Sequence, residues 1–171
     1  RTKLHAEKWD QEINSKALIV RTNFFGWGHA YRQSFSDWII HSLRSGQKII
    51  MFDDVFFSPI LADALALVTH EIAAKETSGV LNIVGDERFS KYDFAIRVAE
   101  RFGLSKALIV RGRMDGSKPL VHRPHDMSLD NTKASRLLGR RLGRVDEFLE
   151  ELYEQEQQGR AAELIDAVME K

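Results

Sequence analysis

The sequence predicts an α/β fold with a mostly parallel sheet, and three observations predict it. Short continuous apolar runs recur at Ala17 to Val20, Lys48 to Phe52, Val80 to Val84 and Ala107 to Val110, the pattern of strands buried on both faces. Between them lie segments whose apolar residues are spaced by three and four, as on one face of a helix. Gly, Pro and Ser or Asp punctuate the changes of period. Strands alternating with helices imply parallel strands joined by crossovers, although three or four strands make a thin sheet.

Thr2 to Ile13 reads as helix, with Leu4, Trp9 and Ile13 apolar and no capping residue before it. Asn14 and Ser15 break it, and the first strand follows. After a loop with Gly26 and Gly28, Ser34 caps a helix that places Phe35, Trp38, Ile39 and Leu43 on one face and stops at Gly46. Pro59 precedes a helix patterned by Leu61, Leu65, Val68 and Ile72. Ser90 with Asp93 reads as a capping box for a helix carrying Phe94, Val98 and Phe102, ended by Gly103. Residues 112–124 form a polar loop, and helices follow near Asp130 to Leu138, Val145 to Gln158 and Ala161 to Met169. In the last of these, Leu164, Ile165 and Val168 are the side chains available for docking the tail.

The chain has 171 residues, 43% hydrophobic and 29% charged, enough for a substantial core. Lys plus Arg and Asp plus Glu both total 25, so no global field favours nucleic acid or an anionic membrane, and an anionic ligand must be met by local groups. Cysteine is absent, which removes disulfides and thiolate chemistry and fits a cytoplasmic setting. No apolar run approaches the roughly 20 residues of a membrane helix. The expectation is a soluble cytoplasmic protein.

Several short motifs occur in a meaningful order. Thr2-Lys3-Leu4-x-x-Glu7 is followed by Val20-Arg21-Thr22-Asn23-Phe24-Phe25-Gly26, Asp53-Asp54, Ser58-Pro59 and Asp63. Val84-Gly85, Ser90-x-Tyr92-x-Phe94-Ala95 and Arg123-Pro124-x-x-x-Ser128-Leu129-Asp130-Asn131-x-Lys133 come next. Together they resemble the dTDP-4-dehydrorhamnose reductases and related extended short-chain dehydrogenases, over most of residues 1 to about 152. The resemblance implies the C-terminal part of a Rossmann-type fold with an α/β substrate-binding subdomain, one incomplete unit over 1–171. Residues 1–27 and 78–86 would be Rossmann-derived, 28–77 and 87–153 the substrate-binding portion, and 154–171 a helical tail.

The same resemblance implies an NAD(P)H-dependent reductase acting on a 4-keto sugar carried by a nucleotide diphosphate, with NADPH or NADH as cofactor. In the family a Tyr four residues before a Lys protonates the sugar carbonyl, and the Lys favours the phenolate and binds the nicotinamide ribose. That makes Lys3 both catalytic and cofactor-binding, with the Tyr two residues before Arg1, so the 171-residue chain alone is expected to be inactive. Asn23 would bind the sugar nucleotide near its diphosphate, at a strand end where open α/β sheets place ligands. Phe24 would line the nicotinamide and Phe25 the sugar. Arg123 would grip the diphosphate with its guanidinium fork.

Rhamnose-pathway reductases typically carry Trp where Asn23 aligns, which keeps a nucleotide-sugar epimerase or dehydratase open as an alternative. A non-catalytic binding subunit is another, since the fold also serves as a regulatory partner of methionine adenosyltransferase. Family members often form homodimers, and Trp9 is the candidate contact. Asp53 and Asp54 read as a loop shaping the pocket, since two carboxylates fall short of a metal's ligand count. His122 and His125 flank Arg123 without a third ligand nearby in sequence, so no metal is expected. Gly26-Trp27-Gly28 lacks the third glycine of a dinucleotide fingerprint, whose place falls at Tyr31.

Overall fold

The computed structural model describes residues 2–29, 31–114 and 124–169, with side chains as far as Leu164. Seven α-helices are found there: α1 (Thr2–Ile13), α2 (Phe35–Arg44), α3 (Ala62–Ala73), α4 (Lys91–Arg101), α5 (Thr132–Leu138), α6 (Val145–Gln157) and α7 (Arg160–Met169). The strands are β1 (Leu18–Arg21), β2 (Phe24–Phe25), β3 (Ile49–Phe52), β4 (Phe56–Phe57), β5 (Ile60–Leu61), β6 (Gly79–Asn82), β7 (Phe89–Ser90) and β8 (Ile109–Gly112).

The α/β class with parallel strands holds, but the single thin sheet does not. The described strands form four two-stranded ladders. Those of β1 with β6, β2 with β5 and β3 with β8 are parallel, and β4 with β7 is antiparallel. The four strands that the sequence pattern does not predict are two residues long each, too short for a period of two to register.

Local chemistry explains the helix ends. Ser34 accepts from the Asp37 backbone N–H at 3.1 Å while Asp37 Oδ2 accepts from the Ser34 N–H at 3.2 Å, a reciprocal capping box that starts α2. Ser90 accepts from the Asp93 N–H at 2.9 Å at the start of α4. Gly139 closes α5 with φ +67°, a left-handed conformation that glycine adopts without a Cβ penalty. Leu61, expected inside its helix, instead ends β5 as the residue before α3.

One contiguous core runs through all four ladders. Phe25 packs edge-on against Phe94 at 5.0 Å and Phe148 at 6.5 Å between ring centroids, and Phe94 meets Phe57 at 5.3 Å and Phe35 at 5.8 Å. Ile39, Ile60, Ile72, Leu81, Ile83 and Leu149 are buried around them. Trp38, expected on the inner face of α2, is 40% exposed because the ring stacks on Phe35 at the rim of a cavity. Helix α1 buries none of its residues, leaving Leu4, Trp9 and Ile13 in the open. A bidentate pair of Arg21 with Glu7, at 3.0 and 2.5 Å, ties it to β1 and holds the Glu7 carboxyl below its ordinary pKa. The tail reaches back through Arg44, paired to Glu156 at 2.6 and 2.7 Å, and α7 packs on α6. Ile165 and Val168 lie beyond the described side chains.

Candidate functional site

The chain turns sharply at the end of β1 because Thr22-Asn23 must cross from one ladder to the next. Asn23 serves that crossing. Its backbone carbonyl accepts from Ile60 N–H at 3.1 Å, its Oδ1 from Ser58 N–H at 3.2 Å, and its Nδ2 donates to the Thr22 carbonyl at 3.2 Å. Ser58 in turn exchanges hydrogen bonds with Leu129, accepting from its N–H at 3.3 Å. Asn82 Nδ2 donates to the Asp130 carbonyl and Asn131 Nδ2 to the Val84 carbonyl, both at 2.9 Å. Residues 128–131 are thereby stitched to the carboxyl ends of β1 and β6. Gly85 is required there, since a Cβ would stand 2.2 Å from the Pro59 carbonyl oxygen.

The side chains expected to touch ligand separate into three groups. Phe24 presents its ring, 64% exposed, at the start of β2, whereas Phe25 is 1% exposed in the core. Alternation along a strand sends neighbouring residues to opposite faces, and the Phe25 contacts with Phe94 and Phe148 leave it no ligand-facing surface in this conformation. Phe25 as a sugar-pocket wall is thus corrected to a core residue. Lys3 is exposed on α1. It lies one helical turn before Glu7, whose carboxylate pairs with Arg21 at the end of β1. Arg123 and His122 lie outside the described residues.

Three residues before Ser58, Val55 forms part of the wall of a cavity of about 550 Å³ at the carboxyl end of β3. Phe35, Trp38, Ile50 and Phe52 give it ring and aliphatic surfaces, Met51, Met114 and Met127 line it with thioethers, and Lys91 enters it. Both Asp54 carboxylate oxygens accept from the Met114 N–H, at 2.8 and 3.0 Å, and Asp53 pairs with Arg111 at 3.3 Å. These bonds fasten the turn after β3 to the end of β8. His125 Nδ1 lies 3.1 Å from the Asp54 carbonyl. Among the described residues no group of three or more His, Asp or Glu is placed to hold a metal.

Sequence reasoning misses Lys91. The first residue of α4, it donates its backbone N–H to the Val55 carbonyl at 2.9 Å, and its Nζ stands 3.4 Å from the centre of the Phe57 ring and 4.2 Å from that of Phe35. Ring faces favour the ammonium, but burial outweighs them and lowers its pKa to about 8. The signal available in sequence, a lysine directly after a capping serine, is too common to mark it. A larger depression of about 670 Å³ between α5 and α6 is shallow and holds arginines; of these, Arg140 and Arg144 are already paired with Glu71 and Glu87.

Parallel strands, crossover helices and a stitched loop cluster at the strand ends define a Rossmann-like α/β architecture. Solved structures agree on the fold. A dTDP-4-dehydrorhamnose reductase from Bacillus anthracis in complex with NADP is 18% identical, with a TM-score of 0.77 over 87% of this chain and 52% of that one. An ortholog from Clostridium acetobutylicum is 22% identical, with a TM-score of 0.78 over 91% and 54%. The model of the RmlD substrate binding domain matches residues 1–158, and the chain belongs to that family. A probable low-salt glycan biosynthesis reductase, Agl14 of Haloferax volcanii, is 25% identical over 142 residues, 81% of this chain and 47% of that protein. The chain spans about half the length of these relatives. Among the described residues no helix is long and apolar enough to cross a membrane.

Proposed function

We propose that this chain is the sugar-nucleotide-binding part of an NAD(P)H-dependent reductase that reduces a 4-keto sugar on a nucleotide diphosphate, like the dTDP-4-dehydrorhamnose reductases. The observation that carries the reading is the family match over residues 1–158. The geometry supports it, since a ring-lined cavity suits the one flat, apolar-faced part of a sugar nucleotide, its base, and the strand-end cluster at Asn23 suits the polar remainder.

The chain's own residues fit the nicotinamide end of a cofactor. Phe24 offers an exposed ring, the neighbouring Thr22 Oγ1 is buried without a hydrogen-bond partner, and Lys3 stands on the α1 face that is tied to the same strand end. The cofactor, when bound, supplies hydride. Lys3 then holds the nicotinamide ribose and, as a cation, favours the ionised form of the proton donor. Asn23, whose Oδ1 is engaged by Ser58, keeps one Nδ2 hydrogen for the ligand, and Arg123 neutralises diphosphate charge. Apolar rings exclude water from the base. The low charge field of the whole chain leaves ligand attraction to these local groups. The protein works in the cytoplasm, and a homodimer forms through α1, where Trp9 is 64% exposed.

The test is reduction of nucleotide-linked 4-keto sugars by the full-length protein, followed as NADPH or NADH oxidation. Turnover is expected, with none from the 171-residue chain alone. Lys3→Ala is expected to lower turnover roughly 100-fold or more and to weaken cofactor binding. Unchanged kinetics would remove Lys3 from the site, and full-length protein that binds sugar nucleotides without turnover would establish a binding subunit instead.

A further inference from the structure

We propose that Lys91 is a specificity-determining residue that selects a nucleobase bearing a carbonyl oxygen at pyrimidine C4 or purine C6 over one bearing an amine at that position. The inference rests on the sugar-nucleotide reading above and deepens it by naming the class of base.

The cavity offers its occupant rings, aliphatic side chains and thioethers, and among its described lining residues Lys91 alone carries a charge. The charged diphosphate gains nothing from such walls, and of the remaining parts of a sugar nucleotide the flat base gains most. Hydrophobic walls do little to tell one base from another of the same size. Discrimination must come from the polar edge, and Lys91 is the group placed to read it.

Its situation differs from that of the other cations around it. Arg88 sits over the Phe56 ring at 3.5 Å and also pairs with Asp126 at 2.8 Å. Arg111 sits over the Tyr92 ring at 4.3 Å and also pairs with Asp53 at 3.3 Å. Lys91 has the ring contacts, with Phe57 and Phe35, but among the described residues no carboxylate meets it. A largely buried cation without an oxygen partner is costly, and a ligand oxygen delivered into the cavity offsets that cost. The two ring faces and the Val55 bond at the root of the side chain hold the ammonium in place before the ligand arrives.

The sign of the selection follows from the donor inventory. An ammonium carries three donors and no acceptor. Uracil and thymine present O4, and guanine O6, at the position where cytosine and adenine present an amino group. An oxygen there accepts from Nζ, whereas an amine brings donor against donor and leaves both unpaired. Removing the ammonium should erase this difference without weakening the amine-bearing bases.

Isothermal titration of the 171-residue chain with UDP against CDP, and GDP against ADP, tests this with partners matched in size. The expected result is a preference of about tenfold or more for the oxo member of whichever pair the cavity admits, lost in Lys91→Met while the affinity for the amino member stays the same. That variant removes a desolvated charge, and circular dichroism confirms that its fold is kept. Base-blind binding by the wild type, or a preference that survives in Lys91→Met, overturns the role of Lys91 and leaves the sugar-nucleotide reading standing. Failure of all four nucleotides to bind overturns that reading and the inference with it.

Discussion

Lys91 makes the cavity wall a source of strain as well as, in the proposal above, of selectivity. Burial lowers its pKa from the ordinary 10.5 to about 8. Below pH 8 native and unfolded chains both carry the proton, and the native state bears the whole desolvation cost. Between about 8 and 10.5 the unfolded chain keeps a proton that the native one has released, so stability rises with pH across that window. Lys91→Met is therefore expected to stabilise the ligand-free chain at pH 7 by on the order of 2 kcal/mol, a gain that fades as pH approaches 10.5. Urea denaturation at pH 7 and pH 10 measures it, and a gain equal at both values would remove the titration from the account. In Asp126 the charged form is instead the favoured one in the folded chain. Ser128 and Arg88 hold its pKa at about 2, so the stability it contributes is present above the ordinary carboxylate range and is lost as pH falls toward 2. Residue types and motif order single out Lys3, Asn23 and Phe24 as candidates in the sequence. The burial of Phe25 and the surroundings of Lys91 are not legible there, because they depend on which side of a two-residue strand faces inward and on rings that come from α2 and β4, far apart in the chain.

At the scale of elements, the turn from β2 into α2 is the most heavily bonded junction near the site. Ser34 Oγ donates to the Gly26 carbonyl and caps α2, Ser36 Oγ donates to the same carbonyl at 2.7 Å, and Asp37 Oδ2 accepts from Gly28 N–H at 2.5 Å. Gly28 is tightly enclosed, since a Cβ there would fall 2.5 Å from the Arg32 carbonyl oxygen. This junction sets where Phe35 and Trp38 stand at the cavity rim. Ser34→Ala removes the cap and one bond to Gly26, and a loss of about 1–2 kcal/mol is expected in chemical denaturation. The variant should also bind nucleotide more weakly, as the rings lose their fixed positions. A loss of stability with unaltered binding would separate the cap from the cavity. Caps of this kind were legible from sequence because Ser34 to Asp37 and Ser90 to Asp93 bond locally. The pairing of strands was not, since each ladder joins segments distant in the chain, such as β3 with β8.

For the whole molecule, the resemblance implies interleaved Rossmann-derived and substrate-binding portions, and residues from the ranges given to each share one interior. Leu81 and Ile83 lie in 78–86, Ile39 and Ile60 in 28–77 and Phe94 in 87–153, and all belong to one contiguous cluster. Phe94 is the centre of that cluster, since its fully buried ring touches Phe25 of β2, Phe35 of α2 and Phe57 of β4. The ring pairs join the cavity wall to the interior, because Phe35 and Phe57 also carry Lys91 over their rings. A chain organised in this way should unfold in one cooperative step, with calorimetric and van't Hoff enthalpies equal. Phe94→Ala, which opens a cavity where three elements meet, is expected to cost about 3–5 kcal/mol. Its transition should stay single while its midpoint falls. Two separated transitions in the wild type, or a Phe94→Ala variant that melts only part of the chain, would mean that the interleaved portions fold independently.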